Sequence, residues 1–236
     1  MKCLLLAAGF GTRLKKLNIN MSKGLIPYCG APLITHIMHR VPENIDIYAH
    51  TNLLFEQDYR DWRKGLNRNV IISVEPTRDP SQALGAVGSI NYFVQNNKID
   101  DDLLVLATDN YFEFDLADFI GHFDGQHPLV ALHDIGDKNK AKNFGVVTVD
   151  GGRITNFREK PENPETSLIS IACYIFPRLV LKYLNEFCAR GTKDKLGDFI
   201  RHLLSVLPVH AYIFTGAWFD IGNESDYKEI INSKEN

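Results

Sequence analysis

Residues 2–7 (Lys2-Cys3-Leu4-Leu5-Leu6-Ala7) are almost wholly apolar and lead straight into Ala8-Gly9-Phe10-Gly11-Thr12-Arg13-Leu14. An apolar run without polar alternation suits a strand covered on both faces, as in a parallel sheet flanked by helices. Small residues directly after such a strand let a ligand approach the backbone, and exposed N–H groups there suit phosphate. A dinucleotide fingerprint, G-x-G-x-x-G/A, would need a small residue where Leu14 stands. The common ATPase loop needs G-x-x-x-x-G-K-[ST], which Lys15 and Lys16 do not complete. The plainest alternative is a tight strand-to-helix turn.

The rest of the chain alternates in the same way. Helices are expected after Pro32 (Leu33, Ile34, Ile37, Met38 and Val41 on one face), over residues 55–66 and over 84–94. Strands are expected over 46–49, 70–74 and 103–107. After residue 128 strands come closer together, over 129–133, 145–149, 153–159 and 169–176, with Asp150-Gly151-Gly152 as a hairpin turn. Helices over 179–187 and 197–205, a strand over 209–214 and a last helix over 224–231 complete the pattern. This order predicts an α/β fold: a Rossmann-like mixed, mainly parallel central sheet with helices on both faces and a small β-rich part. One domain is expected over residues 1–236, with a nucleotide half over about 1–128 and a substrate half over about 129–236.

Composition narrows the function classes. Hydrophobic residues make up 44% and charged residues 23%, so a large core can be buried. Net charge is −3, and no basic stripe marks a nucleic-acid binder. The nearest candidate, Arg60, Arg63, Lys64 and Arg68, is interleaved with Glu56, Asp58 and Asp61 and reads as a solvated helix face. No apolar stretch approaches the length of a membrane span, and residues 1–6 are too short for a signal peptide's apolar region. Cys3, Cys29, Cys173 and Cys188 form no CxxC pair, which suits a reduced, cytoplasmic setting. The eight histidines show no metal-ligand spacing; His36 and His39 share a helix without a third ligand.

The glycine loop is followed by Ser22-Lys23-Gly24-Leu25-Ile26-Pro27 and Ala31-Pro32-Leu33-Ile34. Here the chain resembles the sugar-phosphate nucleotidyltransferase family, with its L-A-A-G-x-G-T-R-L, [PS]-K-x-L-x-P and x-P-[LMI]-I segments. Later segments fall in the same order: Gly85-Ala86-Val87-Gly88-Ser89, Val105-Leu106-Ala107-Thr108-Asp109-Asn110, Phe144-Gly145-Val146-Val147, Arg158-Glu159-Lys160-Pro161 and Trp218-Phe219-Asp220-Ile221-Gly222. Thr108 stands where the family has glycine, and Ile171-Ala172-Cys173-Tyr174 where it has T-G-L-Y.

The resemblance implies attack by a sugar 1-phosphate oxygen on the α-phosphorus of a nucleoside triphosphate, with loss of pyrophosphate. The nucleophile is already an anion, so positioning and cationic stabilisation carry the catalysis. By resemblance, Arg13 meets the leaving phosphates and Lys23 the α-phosphate. Ala8, Gly9, Gly11, Thr12, Glu75 and Gly85 hold the nucleotide; Asn110, Gly145, Glu159 and Lys160 hold the sugar phosphate. Asp109 and Asp220 bind Mg²⁺, which favours one or two carboxylates together with phosphate oxygens and water.

Ser22-Lys23 resembles the thymidylyltransferase branch, which points to dTTP or UTP with a hexose 1-phosphate. Glu75 as a base contact would accept from N3–H of thymine or uracil, and equally from guanine N1–H and N2–H₂, so guanylyl transfer stays open. A non-catalytic nucleotide sensor is the rival of a different class. The implied partners are the triphosphate and the sugar phosphate, with no nucleic acid or membrane and with oligomerisation open.

Overall fold

The computed structural model describes residues 1–12, 21–191 and 195–221. Arg13, Gly222 and the helix expected over 224–231 lie outside the described residues. The first strand, β1 (Lys2–Leu6), is followed by a 3-10 turn at Lys23–Leu25 and a short hairpin of β2 (Pro27–Tyr28) and β3 (Ala31–Pro32). Then come α1 (Leu33–Arg40), β4 (Asp46–Asn52), α2 (Glu56–Lys64), β5 (Val70–Glu75), α3 (Gly85–Asn96) and β6 (Leu103–Ala107). The second half runs β7 (Asn110–Phe112), α4 (Leu116–Gly121), β8 (Leu129–Asp134), α5 (Lys138–Ala141), β9 (Gly145–Asp150), β10 (Arg153–Glu159) and β11 (Leu168–Phe176). It continues through α6 (Val180–Ala189), α7 (Leu196–Leu204), β12 (His210–Phe214) and β13 (Trp218–Asp220).

Among the described residues, nine strands form one sheet in the order β5-β4-β1-β6-β11-β8-β12-β10-β9. β1 lies parallel between β4 and β6, with Leu4 opposite Tyr48 on one side and Val105 on the other. Alternate residues of these central strands feed opposite cores. Cys3, Leu5, Leu104 and Leu106 pack with Ile34, Ile37 and Met38 of α1, Tyr59 of α2 and Phe119 of α4. Leu4, Leu103 and Val105 pack with Ile90 and Phe93 of α3, Leu184 of α6 and Ile200 of α7. Full burial of one such side chain is worth about 1.5–3 kcal/mol, so covering both faces is what makes the sheet stable.

The sheet is not mainly parallel. The pairs β1–β4, β1–β6, β4–β5 and β8–β12 are parallel. The pairs β6–β11, β8–β11, β9–β11, β9–β10 and β10–β12 are antiparallel. Parallel neighbours need a crossover of a dozen or more residues, which α1, α2 and α3 supply in the first half. Between β9 and β10 there is only the Gly151-Gly152 turn, so these strands must run antiparallel. The one parallel pair of the second half, β8–β12, has α6 and α7 between its members.

α1 begins after Pro32 and stops at Val41, whose backbone is extended at φ −72° and ψ 126°. Val41 precedes Pro42, and a residue before proline is pushed out of the helical region. The turn that follows is held by Arg68, whose guanidinium donates to Val41 O, to Pro42 O and, at 3.0 Å, to Ile45 O. Arg68 therefore leaves the solvated basic face expected from sequence and braces the turn after α1. Arg60 and Lys64 do stay on the surface, paired with Glu56 and Asp61.

β11 changes partners along its length. Ile169 and Ser170 pair with β9, whereas Cys173–Phe176 pair with β6. The register against β8 shifts between Ser170 and Tyr174, and Ala172 in that bulge has φ +55°. The left-handed region costs a Cβ-bearing residue roughly 1–2 kcal/mol, which glycine avoids at the expense of unfolded-state entropy. Ala172→Gly is therefore expected to raise stability by about 0.5–1 kcal/mol, a melting shift of roughly 1–4 °C. Thermal unfolding followed by circular dichroism checks this. A lower melting temperature would mean that the Ala172 methyl group packs well enough to outweigh its strained backbone.

Candidate active site

The gap that opens where β11 leaves β9 for β6 is a cavity of about 480 Å³. Ser170, Ile171, Ala172 and Tyr174 of the bulge form one wall. Asp109, Asn110, Gly145, Glu159, Lys160 and Asp220 all face it. Six residues expected from four separate segments thus share one space at the carboxyl end of β6, where open α/β sheets commonly hold ligands.

Asp109 and Asp220 meet through a pairing of two three-residue strands. β7 and β13 run antiparallel with Asp220 opposite Asn110, and Ile221 N donates to Asp109 O at 2.8 Å. The Asp109 carboxylate accepts from Lys23 Nζ at 2.9 Å and from Asn110 Nδ2 at 3.1 Å. Asn110 Oδ1 in turn accepts from Trp218 Nε1 at 2.9 Å, so its amide is held by β13. The Lys23 and Asp109 side chains are 21% and 31% exposed, open enough for a ligand to reach both. Two neighbouring carboxylates on the wall of an open cavity suit Mg²⁺, which keeps waters and phosphate oxygens among its ligands.

Tyr59 lies beneath this pair and was missed in the sequence. Its hydroxyl is fully buried, shares a hydrogen bond of 2.7 Å with Ser22 Oγ and also bonds Thr108. Ser22 and Thr108 flank Lys23 and Asp109 in the chain, so one phenol ties both strands of the site together. Burial pushes the Tyr59 pKa well above its usual value, which keeps the ring neutral. Thr108, a departure from the family pattern, thus has a partner inside this chain. Gly24 completes the cluster: a Cβ there would come within 2.9 Å of both Thr108 and the Tyr59 hydroxyl.

The described part of the glycine loop, residues 8–12, does not line the cavity. It continues β1 at the same edge of the sheet, and Gly11 (φ +58°) lies beside Lys23, whose Cγ would sit 3.9 Å from an added Cβ. Ala8 is fixed by Asn52, which donates to Ala8 O at 2.8 Å, while Asn52 Oδ1 accepts from Leu54 N and Phe55 N. Gly9 faces open space and Thr12 is exposed. Gly85 opens α3, and its neighbour Ala86 reaches the cavity wall. Lys23 is therefore the link between loop and cavity.

Two expected residues are placed otherwise than the sequence suggested. Glu75 is 1% exposed, and its oxygens accept from Thr77 Oγ1 at 2.7 Å and Ser89 Oγ at 2.6 Å. With both oxygens engaged inside the protein, it braces β5 against α3. Gly145 lines the cavity, but its lack of a side chain serves Phe157, whose Cζ would lie 2.5 Å from an added Cβ. Gly197 of α7 clears the same ring from the other side, with Phe157 Cε1 at 2.5 Å. Phe157 thereby holds the strand end that carries Glu159 and Lys160. Lys160 itself has φ +48° and donates its N–H to Phe144 O at 2.9 Å.

No helix among the described residues is long and apolar enough to cross a membrane. The chain is 30% identical over 233 residues to the bifunctional protein GlmU of Methanocaldococcus jannaschii, covering 97% of this chain and 53% of that one. It is 27% identical over 234 residues to a Sulfolobus acidocaldarius protein named as a mannose-1-phosphate guanyltransferase, covering 96% of this chain and 61% of that one. The chain thus spans little more than half the length of these relatives. Its fold superposes on a Bacillus anthracis protein named as a glucose-1-phosphate thymidylyltransferase, crystallised with sucrose, at a TM-score of 0.86 and 23% identity, covering 100% of this chain and 96% of that one. The family model for nucleotidyl transferases matches residues 2–236, and the chain belongs to that family.

Proposed function

We propose that the protein transfers a nucleoside monophosphate from a nucleoside triphosphate to a sugar 1-phosphate and releases pyrophosphate. The observation that carries this reading is the convergence of two carboxylates and two lysines from separate halves of the fold. Asp109 with Lys23 stands at the end of the parallel strands, and Lys160 with Glu159 ends β10 across the cavity. Two polyanions need two cationic anchors, and the cavity is large enough for a hexose phosphate.

In this reading the sugar phosphate lies against Lys160, with Glu159 accepting hydrogen bonds from sugar hydroxyls. The triphosphate lies along the glycine loop, where Arg13 and Lys23 draw charge from its phosphates. Asp109 and Asp220 would hold Mg²⁺, which when bound neutralises phosphate charge. Lys23 shifts from its Asp109 partner to the α-phosphate as the ligand enters.

The triphosphate is dTTP or UTP in this reading, supported by Ser22-Lys23, while Glu75 is buried and already bonded to Thr77 and Ser89. The likeness to the Sulfolobus protein makes GTP with a sugar 1-phosphate the second reading. Pyrophosphate release from dTTP, UTP, GTP, CTP and ATP, each paired with glucose, mannose and glucosamine 1-phosphates, separates them. No release with any of the five triphosphates would favour a nucleotide sensor.

A further inference from the structure

At the edge of the sheet away from the cavity, three metal-ligating side chains meet. β8 and β12 run in the same direction as β6, because β11 is antiparallel to both β6 and β8 and β12 is parallel to β8. The cavity lies beyond the carboxyl end of β6. His127 just before β8 and His210 opening β12 therefore stand at the opposite, amino edge. They join Asp124 there, and the ligand atoms of all three lie within 4.8 Å of one another.

The carboxylate is already fixed. Asp124 Oδ1 accepts from Gln126 N and His127 N, both at 2.8 Å. Oδ2 faces both rings, with His127 Nδ1 at 2.7 Å and His210 Nδ1 at 3.6 Å. The two imidazoles lie 4.8 Å apart at an interplanar angle of 31°, and the His210 ring has no hydrogen-bond partner among the described residues. His210 is anchored by its backbone, which donates to Pro128 O at 2.8 Å. A rigid loop and a sheet strand thus aim two nitrogens and one oxygen at a common point. The side chains are 37%, 29% and 26% exposed for Asp124, His127 and His210, so an ion can enter and water can complete its shell.

We propose that Asp124, His127 and His210 form a binding site for a divalent transition-metal ion, zinc foremost, separate from the phosphate-handling cavity. Bonds of about 2.0–2.2 Å to imidazole nitrogen and carboxylate oxygen put neighbouring ligand atoms roughly 3–3.5 Å apart, a range bracketed by the two Asp124 Oδ2 distances of 2.7 and 3.6 Å. The ion takes the place of the proton shared by Asp124 and His127, which lengthens that contact, and draws in His210 from 3.6 Å. Two imidazoles and one carboxylate suit zinc, nickel or copper, whereas magnesium prefers oxygen ligands throughout. His127 and His210 are far apart in the chain, so the cluster has no signature in spacing.

The test uses the full chain labelled with ¹⁵N in its histidines, with excess magnesium present. Zinc chloride is titrated while the imidazole nitrogen resonances are followed. The proposal expects the His127 and His210 signals to shift together and saturate at one zinc per chain, and magnesium alone to leave both unmoved. His210→Gln and Asp124→Asn are each expected to weaken zinc at this site at least about tenfold, as loss of a supporting or ligating group does elsewhere. Because Asp109 and Asp220 contain no imidazole, zinc taken up there does not register in this signal. Unmoved His127 and His210 resonances at millimolar zinc would overturn the proposal. So would variants that bind zinc as tightly as the parent.

Discussion

Asp109→Asn and Asp220→Asn are each expected to lower turnover by at least about 10²-fold, the loss seen when one aimed electrostatic group is removed. Asparagine keeps the shape but loses the charge, and its amide brings a donor where a cation or phosphate would sit. For Asp109 the change also releases Lys23, its partner at 2.9 Å. Both members of that pair are partly exposed, so folding should lose no more than about 1 kcal/mol. Circular dichroism with magnesium-dependent kinetics separates the two effects. Full activity in either folded variant would remove that carboxylate from the site. Chelation of divalent cations should silence the parent protein.

Lys23→Ala and Lys160→Ala should fail in different ways. Lys23 sits at the junction of glycine loop and cavity, so its charge would act most on the phosphorus in transfer. Its loss should lower kcat by roughly 10²- to 10³-fold with less effect on either KM. Lys160 lies on the sugar side, where the phosphate charge is the same before and during reaction. A charged hydrogen bond of this kind is worth about 1.5–3 kcal/mol, so KM for the sugar phosphate should rise roughly 10- to 100-fold. KM measured separately for both substrates decides. If Lys160→Ala weakens only the triphosphate, or Lys23→Ala only the sugar phosphate, the two halves are assigned the wrong way round.

Much of this was legible in the sequence because burial on both faces leaves a plain mark. β1 and β6 appear as apolar runs, and β10 was found with its boundaries intact. β7 was not expected, because three residues carry no periodicity and its partner β13 lies more than a hundred positions later. The direction of β11 was equally hidden. Whether a strand lies parallel to β6 depends on what connects them, and local pattern does not reveal which strands become neighbours. At the site, charged residues that follow strand ends were readable. Glu75 was expected at the base through the resemblance alone, and no local pattern foretold its burial against Thr77 and Ser89. Tyr59 carries no motif; it matters only because α2 packs it under Ser22 and Thr108.

The central claim is that the α-phosphoryl group, with its nucleoside, moves onto the sugar phosphate. Incubation of the protein with magnesium, a sugar 1-phosphate and a triphosphate labelled with ³²P at the α position tests this most directly. The account predicts that the label appears in a nucleoside diphosphate sugar, in step with unlabelled pyrophosphate. Label found only in free nucleotide, or pyrophosphate formed at the same rate without the sugar phosphate, would contradict it.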